Sequence, residues 1–245
     1  MADIITDFHG IEESLKGVGG YKEFYFSKTN PRIESLIDIA EKKGVAAIRI
    51  SDKKMSEYSG KIGHKGFLLR LERSGKIGKK FSSLNEYLNA LTGKNALVLV
   101  LDSITDTRNY GAILRSADQF AVDVVVIPSR RSVKNTEIIS KTSAGSNVYV
   151  NTITVQNISR CLRQLRENDF WIYGASVSGK RADRTVLKGR VALVMGSEGR
   201  GIGRLVMEMC DDLISIPSKG NIDSFNVSVA SGILMYEIKR QQGFE

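Results

Sequence analysis

The chain is 245 residues long, 42% hydrophobic and 26% charged, with 36 Lys and Arg against 27 Asp and Glu for a formal charge of +9. That is enough apolar material for one large or two modest globular domains, and the basic excess favours a polyanionic partner, nucleic acid first. No apolar run approaches the roughly 18 residues of a bilayer span, and Asp3, Asp7, Glu12 and Glu13 stand where a signal peptide would be apolar, so a cytoplasmic location without membrane association is expected.

In chain order, residues 23–27 (EFYFS) read as a strand. Asn30 and Pro31 then supply an N-cap and a first-turn proline ahead of Ile33, Leu36, Ile37 and Ala40 at helical spacing, and Gly44 closes that helix. Residues 45–50 read as a strand, 53–59 as a short helix, and 67–71 as a strand entered through His64, Lys65 and Gly66. These elements make a small α/β unit. Residues 72–80 (ERSGKIGKK) are charged and lack apolar periodicity, which places a flexible connection and a domain boundary there. Between residues 61 and 80 seven basic residues face one acid, Glu72, and Lys65, Arg73, Lys76, Lys79 and Lys80 are the expected phosphate contacts. Ser83 and Glu86 have the spacing of a capping box, which predicts a helix running to Leu91. The expected divisions are therefore 1–72, a basic linker and connecting helix at 73–94, and a second domain at 95–245.

That second domain alternates predicted strands at 96–101, 122–127, 171–175, 191–195 and 213–216 with predicted helices at 109–120, 135–142, 157–168, 202–209 and 224–240. Strands such as ALVLVL and VDVVVI are apolar throughout, as in a parallel sheet covered on both faces, so the fold class is α/β with a mostly parallel sheet. Cys161 and Cys210 lie in helix-like apolar patterns without metal-ligand spacing. They read as buried free thiols, and no metal site is expected.

Two nucleotide motifs are imitated and fail. Gly199-Arg200-Gly201-Ile202-Gly203 follows an apolar strand, but Arg204 stands where the third glycine of a dinucleotide fingerprint belongs. Residues 174–180 (GASVSGK) imitate a P-loop, but Arg181 replaces the magnesium-binding Ser or Thr. The two histidines, His9 and His64, both lie in the N-terminal unit and are expected to pack or contact RNA, and no nucleophile–base set is apparent.

Three further segments stand out: two run strand, then polar or Gly-rich loop, then helix, an arrangement that presents backbone donors to a polar ligand, and the first adds an Asn and an Arg six residues apart. They are NYGAILR at 109–115, VALVMGSEGRGIG at 191–203 and ISIPSKGNIDSFNVSVASGILMYE at 214–237. Taken singly, they are also a capping Asn with a surface Arg, a tight turn, and a helix of small residues. Taken together and in this order, they resemble the motifs of the SpoU (TrmH-like) branch of the SPOUT methyltransferases, which methylate RNA ribose 2'-hydroxyls with S-adenosyl-L-methionine. FHGIEESL at 8–15 and GHKGF at 63–67 resemble the ribosomal-protein-like RNA-binding domain of bacterial 23S rRNA guanosine-2'-O-methyltransferases.

The resemblance implies a deep trefoil knot in the C-terminal domain, a homodimer, and 23S rRNA or a pre-ribosomal particle as partner. It implies cofactor contacts at Gly196, Ile216 and Phe225, with Met195, Ser197, Gly199 and Ser228 shaping the cleft. Gly196 is expected to let the main chain approach the ligand. It makes Arg115 the key catalytic residue, with Asn109 positioning Arg115 or the ribose, Glu198 ordering the second motif's loop and Asn226 fixing the third. Two positions depart from the family pattern: Arg108 where His is common, and Phe225 where Leu is frequent. The alternatives are a tRNA ribose 2'-O-methyltransferase and a non-catalytic RNA-binding or ribosome-assembly protein.

Overall fold

The computed structural model describes residues 3–16, 21–60, 63–71, 81–130, 150–220 and 224–244. The basic stretch 72–80 and the helix expected at 135–142 lie outside these residues.

Residues 3–71 contain β1 (Asp3–Ile5), α1 (Phe8–Lys16), β2 (Tyr21–Phe26), α2 (Pro31–Lys42), β3 (Ala46–Arg49), α3 (Asp52–Ser59) and β4 (Phe67–Leu71). The sheet order is β1-β4-β2-β3, with β2 and β3 parallel and the other pairs antiparallel. Asn30 caps α2 as expected, accepting from the amides of Arg32 and Ile33 at 3.0 Å each. Helix α1, absent from the predicted elements, is started by Asp7, whose carboxylate accepts from the Gly10 amide at 2.7 Å. Helices α1 and α2 cover one face with Ile11, Leu15, Ile33 and Leu36, and α3 contributes Met55 against Tyr25 and Leu68 in a separate core cluster. His64 holds the turn into β4: its Nδ1 accepts from the Gly66 amide at 3.1 Å while Nε2 lies 2.9 Å from the Ser56 hydroxyl.

The rest of the chain forms α4 (Leu84–Ala90), β5 (Ala96–Leu101), α5 (Thr107–Gln119), β6 (Val124–Pro128), β7 (Thr152–Val155), α6 (Ile158–Arg166), β8 (Trp171–Arg181), a 3-10 turn (Ala182–Arg184), β9 (Arg190–Met195), α7 (Arg204–Met207), β10 (Asp212–Ser215) and α8 (Val227–Gln242). Their sheet has the order β10-β8-β9-β5-β6-β7, and every pairing is parallel. Both faces are covered, which is why β5 is buried at all six positions. Leu97, Leu99 and Leu101 meet α5 and α8, whereas Val98 and Val100 meet α4, α6 and the start of α7. Alternate residues of a strand point to opposite faces, so an unbroken apolar run is what a central strand needs.

The structure corrects several boundaries. Helix α5 starts at Thr107, two residues before Asn109, because Asp106 caps it by accepting from the amides of Arg108 (2.9 Å) and Asn109 (2.8 Å). Helix α7 is one turn long instead of eight residues. Strand β7 was not predicted. Strand β8 continues through GASVSGK to Arg181, with a register shift against β10 between Leu213 and Ile214. The P-loop imitation is thus extended chain and opens no helix, so it makes no phosphate cradle. The capping box is displaced by one residue: Glu86 accepts from the Ser82 amide and hydroxyl, at 2.8 and 2.7 Å, while Ser83 accepts from the Glu86 amide.

Cys161 is buried and Cys210 half-buried, both free, and burial pushes their thiols up to about 12 and about 11. Among the described residues no helix is long and apolar enough to cross a membrane.

Candidate active site

From β5 the chain moves outward through β6 and β7 on one side, and β8, β9 and β10 lie on the other. In open parallel sheets the crevice for a ligand opens outside the carboxyl ends of the strands, where the winding direction reverses. Here that point is the junction of β5 and β9. The loop leaving β5 leads into α5, which carries the first motif, and the loop leaving β9 carries the second.

The β5 loop begins with Asp102, which is 8% exposed. Its amide donates to the Met195 carbonyl at 2.8 Å, and its Oδ2 accepts from the Gly203 amide at 2.8 Å. One residue therefore fixes both ends of the second motif's loop relative to β5, the Met195 end through its amide and the Gly203 end through its carboxylate. Asp102 and the capping Asp106 were missed by sequence reasoning. The available signal was an acidic residue directly after an all-apolar strand, a position that has burial and needs a partner.

The β9 loop is a tight hairpin. Ser197 and Gly201 exchange backbone hydrogen bonds of 3.1 and 2.9 Å, and Gly199 and Gly201 take φ of +78° and +67°, the left-handed region that favours glycine. Gly196 has a packing duty within this loop. A Cβ there would sit 2.0 Å from the Gly201 carbonyl carbon and 2.2 Å from the Ile202 nitrogen. The close approach it permits is between the loop and itself. Gly199, by contrast, faces open space.

The third motif leaves β10 through Ile216, which is half-buried against the core, and leads to Phe225, 42% exposed, and Asn226 at the start of α8. Asn226 caps α8, accepting on Oδ1 from the Ser228 amide (2.9 Å) and hydroxyl (2.6 Å). Its Nδ2 donates to Asn109 Oδ1 at 3.0 Å and to Glu198 Oε1. The Val227 amide also donates to Glu198 Oε1, at 3.5 Å. Asn109, Glu198, Asn226 and Ser228 thus form one hydrogen-bonded hub drawn from all three motifs. Glu198 reaches out of its own loop to the start of α8, so its carboxylate is engaged as an acceptor at a helix N-terminus.

Arg115 stays outside the hub. It is exposed on α5, about 9 Å along the helix axis from Asn109 at 1.5 Å per residue, and makes no ion pair among the described residues. The polar hub, half-buried Ile216 and exposed Phe225 on the third motif, and a guanidinium unpaired among the described residues offer groups suited to a nucleoside next to a phosphate. Lys65 lies in the turn before β4, remote in sequence from this hub, and Arg73, Lys76, Lys79 and Lys80 fall outside the described residues.

Residues 96–236 match the model of the SpoU rRNA Methylase family, more than half of the chain. An uncharacterized tRNA/rRNA methyltransferase of Borreliella burgdorferi is 36% identical over 222 residues, 89% of this chain and 97% of its own. The 23S rRNA (guanosine-2'-O-)-methyltransferase RlmB of Escherichia coli is 35% identical over 251 aligned residues, 99% of this chain and 100% of its own. Among solved structures, the SpoU methyltransferase AviRb of Streptomyces viridochromogenes, in complex with AdoMet, superposes with a TM-score of 0.68. The match covers 98% of this chain and 90% of that one at 16% identity, a likeness of fold.

Proposed function

The chain belongs to the SpoU rRNA Methylase family, and we propose on that premise that it transfers a methyl group from S-adenosyl-L-methionine to the 2'-hydroxyl of a guanosine in 23S rRNA. The observation that carries this reading is the hub in which Asn226 joins Asn109 and Glu198, hydrogen bonds that link residues of the three family motifs.

The residues fit the cofactor. Apolar surface at Ile216 and Phe225 and the open side of Gly199 suit an adenosine held by main-chain groups, with Met195, Gly196, Ser197 and Ser228 setting the shape of that cleft. When bound, S-adenosyl-L-methionine supplies a methyl group made electrophilic by its positively charged sulfur. The protein's part is to hold the ribose hydroxyl in line, its proton passing to water as the new C–O bond forms. Arg115 supplies a guanidinium cation. It grips the phosphate beside the target ribose and stabilises negative charge developing on the ribose oxygen. Asn109, fixed by Asn226, orients that ribose.

In this reading residues 1–72 form the RNA-selecting domain, built like a ribosomal protein and using Lys65. Residues 73–94 form the linker and connecting helix, with Arg73, Lys76, Lys79 and Lys80 on phosphates, and 95–245 the knotted catalytic domain. The protein acts in the cytoplasm as a homodimer. An apolar stripe on the outer face of α8 supports the dimer: Val229, Ile233 and Tyr236, at helical spacing, are 49%, 38% and 47% exposed.

Labelled S-adenosylmethionine incubated with unmodified 23S rRNA should give alkali-stable ribose label. Arg115→Ala should lower the rate at least about 100-fold while leaving cofactor affinity, measured by calorimetry, within twofold. Label in tRNA instead of rRNA would move the substrate. Bound RNA without label would leave a non-catalytic assembly protein, and full activity of Arg115→Ala would overturn that residue's role.

A further inference from the structure

We propose that the outer face of α6, with Arg160, Arg163 and the neighbouring Arg130, is a second contact for the substrate RNA, holding backbone phosphates on the stretch that leads away from the target nucleotide. The inference rests on the ribose methyltransferase reading and adds a surface to it.

Helix α6 buries Ile158, Cys161, Leu162 and Leu165, so its remaining side chains point outward. Asn157, Ser159, Arg160, Arg163, Gln164 and Glu167 line a shallow concavity of about 430 Å³. Three arginines punctuate this helix, and their states differ. Arg166 is committed, donating from Nη2 to Asp211 at 2.9 Å and to the Met209 carbonyl at 2.6 Å. Arg160 and Arg163 are exposed and their guanidinium groups have no partner among the described residues; Glu167, one turn beyond Arg163, makes no ion pair with it. Arg130 follows Ser129, which is tied to the lead-in of α6 through its amide to the Val155 carbonyl (2.9 Å) and its hydroxyl to Gln156 (2.8 Å). Arg130 is likewise exposed and unpaired among the described residues.

Topology places this arc at the right edge of the sheet. All six strands are parallel, so the carboxyl ends of β6 and β7, from which Arg130 and α6 emerge, share an edge with the loops of the candidate site. β7 is two strands from β5, about 10 Å at the usual interstrand spacing. Three unpaired guanidinium groups on one surface repel each other unless a polyanion is present, and arginine's planar fork suits phosphate oxygens. An RNA strand anchored at Arg115 on the α5 face and crossing the carboxyl ends of β6 and β7 reaches them on the α6 face of the sheet.

The test is the full-length protein carrying Arg130→Gln, Arg160→Gln and Arg163→Gln together, with thermal melting to establish that it folds. Binding to an unmodified 23S rRNA fragment is read by fluorescence anisotropy across a salt series. We expect RNA affinity to fall roughly tenfold and the slope of log K against log salt to lose about 2 to 3 in magnitude, one phosphate per arginine. Cofactor affinity and the methylation rate at saturating RNA stay at wild-type values. Lysine at the same three positions should restore the slope. Unchanged affinity and slope, or a loss confined to the saturated rate, overturns the α6 contact. Absence of methyl transfer in the wild-type protein instead overturns the reading on which it rests.

Discussion

The four-stranded and six-stranded units are stabilised by different kinds of contact. Around the four-stranded sheet, polar side chains mostly settle nearby turns and caps: Asn30 and Asp7 start helices, and His64 ties Ser56 to Gly66. In the six-stranded unit polar side chains join segments far apart in sequence, Asp102 to Gly203 across 101 residues and Asn226 to Asn109 across 117. A turn closed by its own residues can change without disturbing its neighbours. A hub made from three distant loops fails as a whole when one member is lost, and that interdependence suits a site that must hold reacting groups within a fraction of an ångström.

Substitutions in the two units should therefore differ in kind. The largest effect is expected of Gly196→Ala, whose added methyl collides with backbone and not with a yielding side chain. Cofactor affinity should drop more than about 100-fold in calorimetry, with a stability loss of about 1–3 kcal/mol in denaturant titration. Asn226→Ala comes next. It removes the cap of α8, about 1 kcal/mol, and frees Asn109 and Glu198 together, so methyl transfer should fall about 30-fold. Equal losses in Asn109→Ala, Asn226→Ala and the double variant would sharpen the picture of one cooperative hub; additive losses would break it. Asp102→Ala strands the Gly203 amide, at a cost of about 1–3 kcal/mol. It should raise the KM for cofactor more than it lowers kcat. Deleting the residues before Gly75 should leave cofactor binding intact and reduce discrimination between 23S rRNA and other RNAs, read from competition methylation. The smallest effect is expected of His64→Ala: a lower melting temperature and unchanged kcat. A large kcat loss there would erase the distinction between the units.

Much of this was legible beforehand. The all-apolar run at Ala96–Leu101 identified a central parallel strand, Asn30-Pro31 identified a helix start, and the three motifs pointed to one crevice. What escaped was set by context. Strand β7 is only four residues with mixed burial, too short for a periodicity to register. The continuation of β8 through GASVSGK depends on pairing with β10, since Gly and Ser have no strand preference of their own. Asn109 looked like a helix cap because Asx residues cap helices. The structure gives that duty to Asp106 and releases the Asn109 side chain for Asn226.

By itself the sequence determined the layers: most of the strands and helices, which faces are apolar, and which residue types gather in three motifs. These follow from local periods of two or about 3.6 residues, readable in any window of the chain. Only the tertiary structure decided which polar atoms meet. It made Gly196 the hinge of a self-closing hairpin, engaged Glu198 at the start of α8, and left Arg115 without an ion pair among the described residues. The physical reason is that a hydrogen bond needs its donor and acceptor within about 3 Å. Across more than a hundred residues that distance is fixed by strand order, on which local periodicity is silent.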